Sequence, residues 1–305
     1  MDDIRLAREL VAGGLNAGDI RSAVGDGSLR RLRRGAYVGP DEWADDLTQV
    51  HRRLITATLR QGHPGAVVSH GSAAVLHGLE VPQVALDTVH LTRDRRGGGQ
   101  RRKWLRVHGL PLPQEHVAAV DGVPTTALPR TVVDLACSLP LPDGVAIGDG
   151  ALRLGLHPAD LSAVLTGVGT RHGVGRARRA LELLDGRSES YGESISRVLM
   201  LERGLPAPEP QLRVRDARGV VVARVDFAWP SLGVIGEFDG RIKYGLDLAP
   251  DQDPAQALWR EKLREDRLRD LGWQVVRWVW ADLENPRDWF ARLERAFGRG
   301  RPVPA

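Results

Sequence analysis

The stretch RVDFAWPSLGVIGEFDGRIKY, residues 224–244, sets three carboxylates, Asp226, Glu237 and Asp239, into two runs of Val, Ile and Phe that otherwise read as strands. A carboxylate buried without a partner is strongly destabilising or takes up a proton. These acids therefore either face water at a sheet end or surround something positive. Residues two apart on a strand share a face, so Glu237 and Asp239 point the same way. Asp226, near the end of the preceding strand, comes within reach if the two strands are neighbours. Converging carboxylates at a sheet edge suit Mg²⁺ or Mn²⁺, which prefer oxygen ligands. An ion held between such acids and a phosphodiester orients an attacking water and stabilises charge on the leaving oxygen. The spacing of the three acids, Asp226, Glu237 and Asp239, around such an ion predicts phosphodiester hydrolysis.

Outward from this stretch the pattern continues coherently. SISRVLMLERGLP reads as a helix stopped by Gly204 and Pro206. QLRVRD, the turn ARG and VVVARVDFAWP make a hairpin, and LGVIGEFDG is a third strand. PAQALWREKLREDRLRDLGW is a charged amphipathic helix, WQVVRWVW a buried-type strand, and NPRDWFARLERAFG a helix capped by Asn285 with Pro286 in its first turn. The order α-β-β-β-α-β-α predicts a mixed sheet with helices on both faces. Of the eight tryptophans, six follow residue 228, and they read as core rather than as base-stacking platforms.

The chain holds 43 Lys and Arg but only three lysines, Lys103, Lys243 and Lys262. Where arginine is the default, a lysine marks a place for a compact ammonium. Lys243, four residues past Asp239, is the candidate for stabilising charge on the phosphorane; Lys262 reads as the partner of Asp266 one helical turn on. Glu193 sits on a face of its helix distinct from Ile195, Val198 and Leu199, from which a carboxylate reaches the same ion.

The 305 residues predict at least two cores. Formal charge is +4, but unevenly spread: residues 1–180 carry 23 Lys and Arg against 18 Asp and Glu, and residues 181–305 carry 20 against 21. A basic front and an acid-spotted back imply different tasks. The single Cys137 excludes an intramolecular disulfide framework and a Cys-rich zinc site, which fits a cytoplasmic protein. No basic-then-apolar start and no long apolar window predict a membrane span or signal peptide.

At the front, residues 3–13 read as a helix, AGDIRSAVGDG as a second, and SLRRLRRGAYVGP as a basic strand and turn. That order suggests a winged helix-turn-helix in which Arg30, Arg31, Arg33 and Arg34 reach phosphates flanking a groove; the alternative is a solvated Arg-rich hairpin. Helical and strand patterns alternate through about residue 180. His70 and His77, seven apart with no third ligand near in sequence, read as core or helix-end histidines.

GESISRVLMLERGLPAPEPQ, RVDFAWP, GEFDGRIKY and EKLREDRLRDLGWQVVRW, over roughly residues 188–283, resemble the domains related to very-short-patch-repair endonucleases, within the PD-(D/E)xK restriction-endonuclease-like superfamily. The resemblance implies an αβββαβ core, a divalent metal, and active-site positions at Asp226 and Glu237 with Glu193 as accessory. Two residues after the second acid that superfamily has lysine; here it is Asp239. GDIRSAVGDGSLRRLRRGAYV, VVSHGSAAVLHGLEVP and DGVPTTALPRTVVDLACSLP, over roughly 4–140, resemble the antitoxin-like proteins of type IV abortive-infection toxin–antitoxin systems. That likeness implies a DNA-binding winged helix, a helper domain, and a nucleotidyltransferase-type toxin as partner.

The expectation is thus an α/β protein with a winged-helix module over residues 1–40, an α/β middle domain over 41–185 and a restriction-endonuclease-like αβββαβ domain over 186–305. It is read as a Mg²⁺- or Mn²⁺-dependent DNA endonuclease. A non-catalytic DNA-binding regulator with a degenerate nuclease fold is the alternative.

Overall fold

The computed structural model describes residues 4–43, 46–62, 65–95, 97–240 and 254–303. Lys243 lies outside them. The chain is a mixed α/β protein with three sheets among the described residues, and it divides into two compact units, residues 1–139 with 156–178, and residues 140–155 with 179–305. No described helix is long and apolar enough to cross a membrane.

The first unit opens with β1 (Arg5–Leu6), α1 (Ala7–Ala12), α2 (Ala17–Gly25), β2 (Arg30–Arg33) and β3 (Ala36–Val38), the strands forming an antiparallel sheet in the order β1-β3-β2. Residues 3–13 are therefore not one helix. Ile4 and Leu6 alternate inward onto a core with Ala36 and Val38, and pairing Arg5 with Tyr37 satisfies a backbone that a helix would have turned away. Helix α2 is opened by Asn16, whose side chain accepts from the backbone N–H groups of Gly18 and Asp19.

Helix α3 (Leu47–Arg60) places Ala57 on that core and Leu54 and Ile55 on a second one. The second core underlies a six-stranded sheet built from β4 (Val67–Val68), β5 (Val89–Asp94), β6 (Gln100–Arg102), β7 (Leu105–Leu110), β8 (Val117–Val120) and β9 (Val123–Thr126), in the order β6-β7-β5-β4-β9-β8. Helix α4 (His70–Leu76) follows β4, and α5 (Leu128–Ser138) follows β9. On α5 the buried Arg130 donates through Nε to Asp134 Oδ1 at 2.9 Å, and Arg171 donates to the same oxygen at 2.7 Å.

Helix α6 (Leu141–Arg153) belongs to the second unit, while α7 (Pro158–Gly167) returns to the first; α8 (Val174–Glu182) follows. Helix α9 (Tyr191–Arg203) is buried along most of its length, packed on α6. It ends at Gly204, whose φ of 78° is the left-handed cap that glycine allows. Then come β10 (Glu209–Arg215), β11 (Val221–Trp229), β12 (Val234–Asp239), α10 (Pro254–Asp270), β13 (Gln274–Val279), α11 (Trp280–Glu284) and α12 (Arg287–Arg299). The sheet order is β10-β11-β12-β13, antiparallel except for the parallel pair β12–β13. The last long helix starts at Arg287 behind Pro286, and Asn285 ends α11 instead of capping its successor.

Aromatic packing holds this unit. Trp278 stacks with Phe227 at 5.5 Å and meets Trp289 at 4.9 Å, and its Nε1–H donates to Ser196 Oγ on α9 at 2.8 Å. Trp273 and Trp289 are fully buried, and Trp229 donates to the Pro206 carbonyl. Trp278 and Trp229 thus combine a packed body with a satisfied N–H, as burial favours, whereas the buried Trp289 Nε1 has no hydrogen-bond partner among the described residues.

Behind α9, Asp149 of α6 is completely buried; its Oδ2 accepts from Arg197 at 2.8 Å and its Oδ1 from the Asp185 backbone at 2.7 Å. Burial raises the Asp149 carboxyl above its ordinary value, and Arg197 opposes that rise. Removing one partner of a buried pair strands the other charge. Arg197→Ala is expected to cost about 3–5 kcal/mol of stability, read as a lowered urea midpoint at unchanged m value; an unchanged midpoint would remove the pair from the account of the fold.

Candidate functional site

Asp226, Glu237 and Glu193 come from three elements, β11, β12 and α9. Their convergence begins in the pairing of β11 with β12, where Phe227 lies opposite Gly236 and Ala228 opposite Ile235. That register lets Asp226 Oδ2 accept the Phe238 N–H at 2.8 Å, immediately after Glu237. Helix α9 approaches β12 closely because residue 192 is glycine; a methyl there would overlap the Phe238 ring. Ser190 caps α9 through the Glu193 N–H, putting Glu193 in the first turn, where the helix dipole favours a carboxylate.

Glu193 is 7 % exposed, and its Oε2 accepts from the Glu189 N–H at 2.8 Å and from Gln211 Nε2 at 2.9 Å. Gln211 has φ of 57° and interrupts the β10–β11 ladder, whose pairs run Pro210 with Phe227 and then Leu212 with Val225. A non-glycine residue in the left-handed region costs of order 1–3 kcal/mol and tends to be found at functional sites. Here the irregularity sits across from Asp226 and turns the Gln211 amide toward Glu193.

Electrostatically, Asp226 is the focus. Burial, then the neighbouring Glu193, and to a lesser degree Glu237, push its carboxyl up from 3.8 to about 7, while the Phe238 N–H and Arg264 pull the other way. At neutral pH this acid sits at its balance point between proton and charge. Any divalent cation placed there would displace the proton and relieve the repulsion.

Glu237 has a different environment. Its Oε1 lies 2.8 Å from Arg264 on α10, and its Oε2 lies 3.2 Å from Nε of Arg277, its register partner on β13. Arg277 also reaches Glu265 at 3.1 Å. Asp239 is half-buried opposite Val279, on the same side of β12 as Glu237. Arg264 and Arg277 are the residues that sequence reading missed. The signal for Arg277 is the parallel register of β12 and β13, which no local motif carries, and Arg264 comes from the helix between those strands.

The N-terminal arginines divide. Arg31 and Arg34 are exposed; Arg30 is exposed with its guanidinium 5.4 Å from the Trp43 ring centre. Arg33 turns inward, donating to the Thr58 hydroxyl of α3, and burial lowers its pKa. Three of the four are thus available to an anionic partner. His77 closes α4 with Nε2 against the Thr126 carbonyl, a helix-end role.

Two proteins of Mycobacterium tuberculosis are similar over nearly the whole chain: uncharacterized protein MT2308 of strain CDC 1551 / Oshkosh and uncharacterized protein Rv2248 of strain ATCC 25618 / H37Rv. Each is 30% identical over 283 residues, spanning 91% of this chain and 96% of its own length. The chain belongs to their family. The match reaches into both units of the chain. No family model matches the sequence. Among solved structures, the crystal structure of RV2827C protein from the same species aligns with a TM-score of 0.40 and 18% identity, over 63% of this chain and 75% of that one; at that level the likeness assigns no fold.

The raised pKa of Asp226 fixes a pH dependence. Between 3.8 and about 7 the folded state binds a proton at this position that the unfolded chain has released, so stability falls as pH rises through that window. Above it, the full penalty of the buried charge is present. Asp226→Asn is therefore expected to raise the melting temperature at pH 8 and to flatten the wild-type decline between pH 4 and 7. A variant with an unaltered profile would mean that Asp226 titrates like a solvated acid.

Proposed function

We propose that this chain is a divalent-metal-dependent DNA endonuclease of the PD-(D/E)xK type, working in the cytoplasm, in which a basic winged-helix module over residues 1–40 delivers DNA to the C-terminal acidic site. The observation that carries the reading is the gathering of Glu193, Asp226 and Glu237 from three elements around a carboxyl held near neutrality. The donor set of Asp226 and Glu237, with Glu193 beside them, fits Mg²⁺ or Mn²⁺, being oxygen only and including a carboxyl that burial and its acidic neighbours hold above its ordinary value. Such an ion, when bound, supplies Lewis-acid stabilisation of the scissile phosphate. Asp226 and Glu237 would hold it, with Glu193 and Asp239 in support. Arg264 and Arg277 bring to this site the positive charge that the superfamily's lysine carries elsewhere; Lys243, first in line from sequence, is the further candidate. In the hydrolysis, water oxygen bonds to phosphorus, the bond to the leaving oxygen breaks, and the water's proton passes to a carboxylate.

One observation favours a second reading. Glu237 is already engaged by two arginines, and Asp239 stands where the superfamily has lysine. A carboxylate used this way serves structure, which suits a DNA-binding, antitoxin-like regulator paired with a nucleotidyltransferase-type toxin.

Supercoiled plasmid incubated with the purified chain and Mg²⁺ or Mn²⁺ separates the two. Nicking or linearisation, lost in an Asp226→Ala, Glu237→Ala double variant, is the expected result. Retarded but intact plasmid with both proteins would replace the nuclease by the regulator.

DNA delivery has its own test. Each phosphate contact contributes about −0.9 to the slope of log K against log salt concentration. Replacing Arg30, Arg31 and Arg34 together by alanine is expected to flatten that slope by about 2–3, whereas an unchanged slope would move the DNA to another surface.

A further inference from the structure

The first unit contains a second constellation, built wholly within itself and unrelated to the acidic site. His70 begins α4, His90 lies on β5 and His108 on β7; one ring nitrogen from each lies within 4.8 Å of the others. His90 Nδ1 and His108 Nε2 are 3.0 Å apart, and the rings of His70 and His108 stack at 3.8 Å. The parallel register sets His108 opposite Thr92, so His90 and His108 project from the face of the sheet opposite Val89, Leu91, Leu105 and Val107.

Considerable local order is spent on this placement. His70 has φ of 51°, a left-handed backbone rare for a non-glycine residue, held between Ser69, whose hydroxyl lies 3.1 Å from His70 Nδ1, and Gly71, which packs against the Ala85 carbonyl. Ser72 Oγ accepts the His90 N–H at 2.9 Å and donates to His51 Nε2 at 2.9 Å, because His51 Nδ1 must donate to the Leu86 carbonyl. That chain fixes β5 against α4. Burial, followed by neighbouring imidazoles and Arg106, pushes His90 and His108 down to about 3 and His70 well below its ordinary value. Neutral imidazole is the form that binds metals.

We propose that His70, His90 and His108 form a three-imidazole site for a borderline transition-metal ion of the zinc class, with a fourth coordination position for hydroxide or another small anion. Three nitrogen ligands and an open position are the donor set of catalytic zinc centres, and the absence of a carboxylate from the trio disfavours Mg²⁺ and Ca²⁺. The surroundings fit the ion together with an anion. Arg106, Arg130 and Arg171 stand near His70; Asp134 pairs with Arg130 and Arg171 through Oδ1 while its buried Oδ2 has no hydrogen-bond partner among the described residues, so positive charge is in excess there, which favours an anion beside the ion. The Asp134 charge also acts on His108, opposing part of the effect of burial there. His108 lines an open cleft of about 320 Å³ with Gln100, Arg101 and Arg106, which provides a way in.

The test uses the full chain, stripped by chelator, loaded with Zn²⁺ and exhaustively dialysed before elemental analysis. The expected result is one retained equivalent in wild type and in Asp226→Ala, lost in His90→Ala and in His108→Gln, with circular dichroism establishing that each variant is folded. Co²⁺ loading is expected to give the intense visible absorption of a four-coordinate ion. Two results would overturn the proposal: wild type that retains no zinc and leaves Co²⁺ with the weak spectrum of the aqueous ion, or zinc held equally by folded His90→Ala and His108→Gln. Because Asp226→Ala leaves this site intact, the outcome is independent of whether the acidic site cleaves DNA.

Discussion

The desolvation of Asp226 is the constraint on which the second unit turns. A carboxyl between strands, beside Glu193 and with Glu237 next to the N–H it accepts, is held only because the surrounding elements are fixed by larger forces. The tryptophan core anchors β13 and α12, the parallel pairing of β12 with β13 brings Arg277 to Glu237, and Gly192 lets α9 settle onto Phe238. Buried apolar area supplies the stabilisation, and the acids draw on it. A protein shaped only by stability would replace Asp226 with an apolar residue, and this is the reason for proposing a site there.

Much of this unit was legible in the sequence. Period-2 alternation and turn residues delimit Glu209–Arg215, Val221–Trp229 and Val234–Asp239, and Gly204 stops the helix before them. The acids were visible because a carboxylate in an apolar strand contradicts its surroundings. What remained hidden depends on register. The engagement of Glu237 by Arg277 follows from which strand lies beside which, that by Arg264 from how the intervening helix packs, and the left-handed Gln211 has no Gly or Asn to announce it. The partner of a buried helix is hidden for a similar reason: apolar spacing in Leu141–Arg153 announces burial but not that the helix packs on Tyr191–Arg203.

The first unit teaches a complementary lesson. Ile4, Leu6 and Leu10 satisfy both a helical and an alternating reading over so short a span, and the strand at Arg5–Leu6 prevails because β3 offers it a partner. In sequence His70 stands beside His77, whereas its spatial neighbours are 20 and 38 residues away on separate strands. Short spacings reveal metal ligands on one helix or loop; ligands delivered by a sheet leave no such mark.

The central claim is that Asp226 belongs to a cation site and not merely to a tolerated pocket. It is tested most directly by carbon-13 NMR of the aspartate carboxyls, with Asp226 assigned by its loss in Asp226→Asn, titrated without and with millimolar Mg²⁺. The account predicts titration near pH 7 without metal and a shift to markedly lower pH when Mg²⁺ is present. A carboxyl that titrates near 3.8 in both samples, indifferent to the metal, would contradict it.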